Sequence, residues 1–173
     1  MTARIRTVNL DQFAECLSGL GELLVDAVNS GASVGFWAPM DQARAILYWR
    51  EVMQGMVQEN RVLLVAEDAG EVVGSVQLVL SDRQNGHHRA EITKLMVRTS
   101  HRGHGLGRAL LAAAHVEARF RGRTLLILDT RTGDAGERLY ESMGYTRAGE
   151  IPCYTIQPDG ARHGTTIFYH VLA

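Results

Sequence analysis

The stretch Thr99–Leu111, T-S-H-R-G-H-G-L-G-R-A-L-L, sets Gly103, Gly105 and Gly107 at the mouth of an apolar, helix-forming run. Glycine costs about 1 kcal/mol relative to alanine inside a helix. Three of them at a helix start call for a compensating role. A chain that turns through glycines into a helix aims several backbone N–H groups, and the positive end of the helix dipole, at one spot. Glycine also lets an anion approach the backbone closely. Arg102 and Arg108 flank the segment and His104 adds a donor. A phosphate-bearing ligand suits such a loop.

Two familiar phosphate motifs fail here. A P-loop needs Gly-Lys-Ser/Thr, whereas Gly107 is followed by Arg108 and Ala109. A dinucleotide fingerprint needs G-x-G-x-x-G, but the sixth position is Arg108 counted from Gly103 and Leu110 counted from Gly105. The pattern that fits is Arg-x-x-Gly-x-Gly, in Arg102-Gly103-His104-Gly105-Leu106-Gly107.

Upstream, Arg4 to Val8 reads as a short strand. From Asp11, the expected N-cap, Phe13, Cys16, Leu17, Leu20, Leu23, Leu24, Ala27 and Val28 recur at helical spacing, with a stop at Gly31. Asp41 caps a second helix with Ile46, Trp49, Met53, Met56 and Val57 on one side. R-V-L-L-V-A-E-D and E-V-V-G-S-V-Q-L-V-L are strands around the Ala69-Gly70 turn, and A-E-I-T-K-L-M-V is a third after Asn85-Gly86. His87 and His88 read as solvated turn residues. Downstream of the glycines, Leu106, Ala109, Leu110, Ala113, Val116 and Phe120 form the expected buried face of a helix. T-L-L-I-L-D-T is a strand, Asp134 and Glu137 form a capping pattern for a short helix, and two strands joined by Q-P-D-G close the chain.

The chain has 173 residues, 46% of them apolar, with a net charge of -1. That suits one domain over 1–173 with a sizeable core. It disfavours a nucleic-acid partner or a polybasic membrane protein. Cys16 and Cys153 form neither a disulfide framework nor a metal-ligand spacing, so no metal is expected. The N-terminal segment carries no uninterrupted apolar region, no run is long enough to span a bilayer, and a cytoplasmic setting is the expectation.

The glycine segment resembles the acetyl-CoA pyrophosphate loop of the GNAT acyltransferase superfamily. Leu139-Tyr140-Glu141-Ser142-Met143-Gly144-Tyr145 resembles the Leu-Tyr-x-x-x-Gly-Phe/Tyr ending of that family's later helix. The element order, β-α-α-β-β-β-α-β-α-β-β, is similar as well, so the resemblance covers nearly the whole chain. G-A-S-V-G-F (31–36), A-E-I-T-K-L-M-V (90–97), L-D-T (128–130) and I-P-C-Y-T-I-Q-P-D-G (151–160) are similar to the tabtoxin-resistance branch, whose acceptor is a toxic β-lactam amino acid.

The resemblance implies an α/β GNAT fold with a mixed, mostly antiparallel sheet. It implies an N-acetyltransferase that moves the acetyl group of acetyl-CoA, its cosubstrate, to a primary amine of a small molecule by direct attack in a ternary complex. Tyr140 matches the family's general acid. Either Glu91 or Asp129 is the carboxylate that handles the amine proton, Asp129 being alternatively a substrate-orienting group, and each competes with a reading as a structural salt bridge. Leu95, Met96 and Val97 act through their backbone on the pantetheine arm and thioester, and the loop Arg102–Arg108 holds the pyrophosphate. Ser33, Val34, Phe36, Trp37 and Tyr154 are the expected acceptor pocket. Many relatives carry Asn where this chain has Gly133, which leaves cofactor contacts on that loop open. Relatives often form homodimers through their late strands. Two other readings compete: a non-catalytic acyl-CoA-binding sensor, and a protein or peptide N-acetyltransferase.

Overall fold

The computed structural model describes residues 3–172. The elements run β1 (Arg4–Val8), α1 (Leu10–Asn29), α2 (Gln42–Val57), β2 (Arg61–Asp68), β3 (Glu71–Leu80), β4 (Arg89–Val97), α3 (Leu106–Phe120), β5 (Leu125–Arg131), α4 (Ala135–Ser142), β6 (Thr146–Ile156) and β7 (Arg162–Val171). Single 3-10 turns lie at Gln84–Gly86 and Thr99–His101. The order is the one expected from the sequence. The strands form one sheet, β1-β2-β3-β4-β5-β7-β6. Only β4 and β5 pair in parallel; the other neighbours are antiparallel.

Helices cover both faces, which explains why β2 reads as an unbroken apolar run rather than an alternating one. Val62, Leu64 and Ala66 pack with Leu110, Leu111, Ala114 and Ala118 of α3. Leu63 and Val65 point the other way, to Phe13, Leu20, Leu23 and Leu24 of α1 and Trp49 and Val52 of α2. No helix is long and apolar enough to cross a membrane among the described residues.

Four local expectations are corrected. The cap of α1 is Asn9, not Asp11. Its side chain accepts from Gln12 N at 2.9 Å while Gln12 Oε1 accepts from Asn9 N at 3.3 Å, a reciprocal capping box. In α2 the buried residues are Ala45, Trp49 and Val52, and Val57 at the last position is exposed. The buried face of α3 is Leu110, Leu111, Ala114, His115 and Ala118, whereas Val116 is 65% and Phe120 84% exposed. Small residues turn inward there because α3 lies close on the sheet: a Cβ added at Gly74 would sit 2.8 Å from Leu110 Cδ1. His115 joins that face through its 2.9 Å bond with the Tyr145 hydroxyl. Asp134 occupies the cap position of α4, but its side chain makes no capping bond, and Glu137 accepts from the Thr166 hydroxyl instead.

Candidate functional site

The site is built where the sheet comes apart. Parallel pairing covers only Arg89–Leu125, Ala90–Leu126 and Glu91–Ile127, yet β4 continues to Val97 and β5 to Arg131. Beyond Glu91 the two strands diverge. A bulge sharpens the divergence: between Thr93 and Met96 the β4 chain takes three steps where β3 takes two, from Gln77 to Ser75. Lys94 absorbs the extra residue with φ 50°, and the Ser75 hydroxyl donates to its carbonyl at 3.1 Å. A bulge re-aims side chains. Ala90 and Ile92 pack toward α3, but Met96, at the same parity, packs toward α1 and α2.

The glycine loop follows directly. Thr99 donates through its backbone N–H and hydroxyl to the Asp26 carboxylate at 2.8 and 2.7 Å. Arg102 donates to Val97 O and to Ser30 Oγ, both at 2.9 Å, tying the loop to β4 and to the end of α1. Gly103 (φ 81°) and Gly105 (φ 80°) adopt the left-handed conformation, and no atom lies within 4 Å of a Cβ at either. The loop is exposed from Arg102 to Gly105. The first helical bond of α3 runs from Ala109 N to Gly105 O at 3.0 Å, so the preceding N–H groups stand free at the helix mouth. Arg108 does not face the loop: its guanidinium donates to Ser142 Oγ at 2.6 Å and Met143 Sδ at 3.0 Å.

Two cavities open along the divergence. One of about 310 Å³ holds Ser33, Val34, Glu91, Lys94, Leu95, Asp129, Tyr140 and Tyr154. The other, of about 400 Å³, runs toward the loop past Leu95, Met96, Val97 and Arg102 and is also lined by Tyr140. Tyr140 stands at their junction with Ser33, Val34, Leu95 and Thr130, and is only 8% exposed. Burial, and then the nearby Asp129 charge, push its phenol up to about 12, so it stays protonated at neutral pH. Burial, and then the Asp129 charge, also raise the Glu91 carboxyl above the ordinary carboxylate range. Asp129 accepts from the Thr165 hydroxyl at 2.7 Å.

Of the expected pocket residues, Phe36 and Trp37 line a neighbouring hollow of about 350 Å³ rather than the cavity with the carboxylates. Phe36 packs edge-on against Tyr48, and Trp37 donates to Ile156 O at 2.9 Å, fastening the 31–39 segment to β6. Gly133 turns with φ 83° and has open space at its Cβ position; Thr130 lines both cavities and Asp134 the second. The sequence reading passed over Lys94, Arg131 and Thr165, all of which line the first cavity. A lysine inside a strand, between Ile92 and the apolar run Leu95-Met96-Val97, was the available signal. Burial, then the Arg61 charge, lower the proton affinity of Lys94.

Residues 59–147, from the start of β2 through the loop and Tyr140, match the family model described as an acetyltransferase (GNAT) domain. The chain belongs to the GNAT acetyltransferase family. An uncharacterized N-acetyltransferase of the hisH-hisA intergenic region of Azospirillum brasilense is 40% identical over 110 residues, 61% of this chain and 62% of that protein. N-acetyltransferase 8 of Rattus norvegicus is 36% identical over 88 residues, 50% of this chain and 40% of that protein. The chain thus matches less than two thirds of the length of either relative. Among solved structures, an N-acetyltransferase of Staphylococcus aureus superposes with a TM-score of 0.80 at 18% identity over 100% of both chains. A GNAT phosphinothricin acetyltransferase of Sinorhizobium meliloti, solved in complex with acetyl-CoA, gives 0.80 at 20% identity over 100% of this chain and 90% of that one. These likenesses, with the family match, establish the GNAT fold.

Proposed function

We propose that this GNAT chain, read as one domain over 1–173, transfers the acetyl group of acetyl-CoA to a primary amine of a small molecule by direct attack within a ternary complex. The observation that carries the reading is Tyr140, which stands with Ser33, Val34, Leu95 and Thr130 where a cavity leading to the glycine loop meets a cavity holding two carboxylates. Two ligands entering from opposite sides meet there.

Each step uses a group already described. The free N–H groups at the mouth of α3, with Gly103 and Gly105 leaving the backbone bare, take the pyrophosphate. The side of β4 that β5 abandons, at Leu95, Met96 and Val97, takes the pantetheine arm as a sheet edge takes a strand. A main-chain N–H beside Met96 or Val97 faces the thioester oxygen and stabilises the oxyanion. An ammonium has no lone pair, so Glu91, assisted by Asp129, first removes a proton from the acceptor. The amine nitrogen then bonds to the carbonyl carbon, the carbon–sulfur bond breaks, and Tyr140 protonates the departing thiolate. The amide sheds its second proton to Asp129, the two carboxylates release their protons to water, and the phenol recovers its own from water.

The finer reading follows the tabtoxin-resistance resemblance: a small amino-bearing acceptor such as an antimetabolite amino acid, with Ser33, Val34 and Tyr154 around it. It carries with it a cytoplasmic setting and a homodimer through β6, the edge strand, which is exposed along nearly its whole length. The test is CoA-thiol release with acetyl-CoA and a panel of primary amines, alongside calorimetric binding of acetyl-CoA. Acetylation of at least one small amine is expected. Tight acetyl-CoA binding without turnover on any of them would move the chain to the sensor reading, and acetylated proteins in a cell extract would move it to the protein-acetylating one.

A further inference from the structure

Lys94 stands in the acceptor cavity without a partner of its own. The bulge that absorbs it swings its side chain toward α1 and α2, where the ammonium sits 5.4 Å from the Tyr48 ring centroid and 5.9 Å from that of Phe36. Aromatic faces attract a cation but offer it no hydrogen-bond acceptor. Among the described residues no carboxylate lies within 4.0 Å of it, and it makes no hydrogen bond. The nearest acids, Glu91 and Asp129, act on it only through their fields. Arg61, the neighbouring cation, is already engaged with Gln77 Oε1 at 3.1 Å.

A second cation reaches the same cavity. Arg131, at the end of β5, lines it, and its Nε is sealed from solvent with no hydrogen-bond partner among the described residues. The cavity walls thus carry Lys94 and Arg131 against Glu91 and Asp129, two charges of each sign. A purely cationic acceptor would satisfy the carboxylates and leave two half-buried cations facing it. A molecule with one charge of each sign satisfies both ends. At about 310 Å³ the cavity sits at the low end of small-ligand sites, roughly 300–1,000 Å³, and suits a compact guest.

We propose that Lys94 seats an anionic group of the acceptor, so that the substrate is a small zwitterion whose amine faces Glu91 and Asp129 and whose carboxylate faces Lys94. The proposal rests on the acetyl-transfer reading and names the acceptor class within it. Arg131, on the wall of the same cavity, strengthens the same field. The carboxylate restores to Lys94 the partner that its burial withholds, and fixing that end leaves the amine free to turn toward the thioester.

The test uses the twenty common L-amino acids and matched amines that lack the carboxylate: 3-(methylthio)propylamine for methionine, 2-phenylethylamine for phenylalanine, 3-methylbutylamine for leucine. At saturating acetyl-CoA, kcat/KM for at least one amino acid should exceed that of its matched amine by tenfold or more. Lys94→Met should close that gap, acting mainly by raising KM for the amino acid at least tenfold, and Lys94→Arg should restore part of it. A wild-type enzyme that uses the amines as well as the amino acids, or a Lys94→Met variant that keeps the gap, overturns the proposal. A second readout does not need turnover. In CoA-bound protein with 13C-labelled lysine, the Lys94 Cε resonance, assigned by its loss in Lys94→Met, should move on adding the preferred amino acid and stay still with the amine. No movement with any amino acid overturns the anchor even if other amines are acetylated. Movement without CoA release leaves the anchor standing and removes the transfer reading.

Discussion

Tyr140 owes its chemistry to its place in a motif and to its surroundings in space. Its place in Leu139-Tyr140-Glu141-Ser142-Met143-Gly144-Tyr145 marks it, but only the fold shows that burial and Asp129 hold its proton to about pH 12. Tyr140→Phe keeps the ring and its packing on Tyr145 and Phe168. It should lower kcat by roughly 10²–10⁴, the span of general acid–base contributions. Acetyl-CoA affinity by calorimetry should hold; a variant that loses affinity and keeps its rate would strip Tyr140 of the acid role. Glu91 sets the other limb. A base works deprotonated, and burial raises the Glu91 pKa, so activity should fall as pH drops through a value above the ordinary carboxylate range. Glu91→Gln should remove that limb from the kcat/KM–pH profile. Lys94 marks where residue-level reading stopped. Strict alternation along A-E-I-T-K-L-M-V places Lys94 beside Ala90 and Ile92, facing α3. The left-handed φ at Lys94 breaks that parity, and no residue type in the stretch announces it.

At the scale of elements, helices and strands with a clear apolar period were legible almost to their ends, and the glycine loop was legible from spacing. The rotation of α3 was not. Its leucines and alanines are spread so evenly that two stripes read equally well. The choice falls to Gly74, whose missing side chain admits Leu110, and to the His115–Tyr145 bond. The cap of α1 was legible in principle, because Asn9-x-x-Gln12 is itself a capping pattern. The loop carries its own test. Gly105 precedes α3 with φ 80°, a conformation that a β-branched residue adopts only under strain of about 1–3 kcal/mol. Gly105→Val should displace the amides at the mouth of α3 and raise the acetyl-CoA dissociation constant at least tenfold by calorimetry. Unchanged affinity would detach the loop from the pyrophosphate.

At the scale of the whole molecule, the polar cluster beneath α3 couples stability to pH. His115 bonds the Tyr145 hydroxyl and stacks on His170 at 5.1 Å. Burial, then the neighbouring His170 charge, lower its pKa to about 4. A histidine in the unfolded chain titrates near 6.5. Above that pH both states are neutral and the full stability is present. As pH falls from about 6.5 to 4, the unfolded chain gains a proton that the folded one refuses, and stability drops by about 3 kcal/mol. His115→Gln keeps a hydrogen-bonding group without the titration. The difference between wild-type and variant unfolding free energies, followed by urea melts across that range, should therefore change with pH; a constant difference would exclude His115 as its source.

The parting of β4 from β5 after Glu91–Ile127 leaves those main-chain amides of β4 that point away from β3 without a strand partner in the middle of a sheet. In the empty protein those amides on β4, between Ile92 and Val97, should trade their hydrogens for deuterium far faster than the paired amides of β2 and β3 beside them. A saturating acyl-CoA thioester should slow the trade at those positions alone. The interior of this sheet would then be completed by its own cosubstrate, so that the protein is most fully folded only while it is at work.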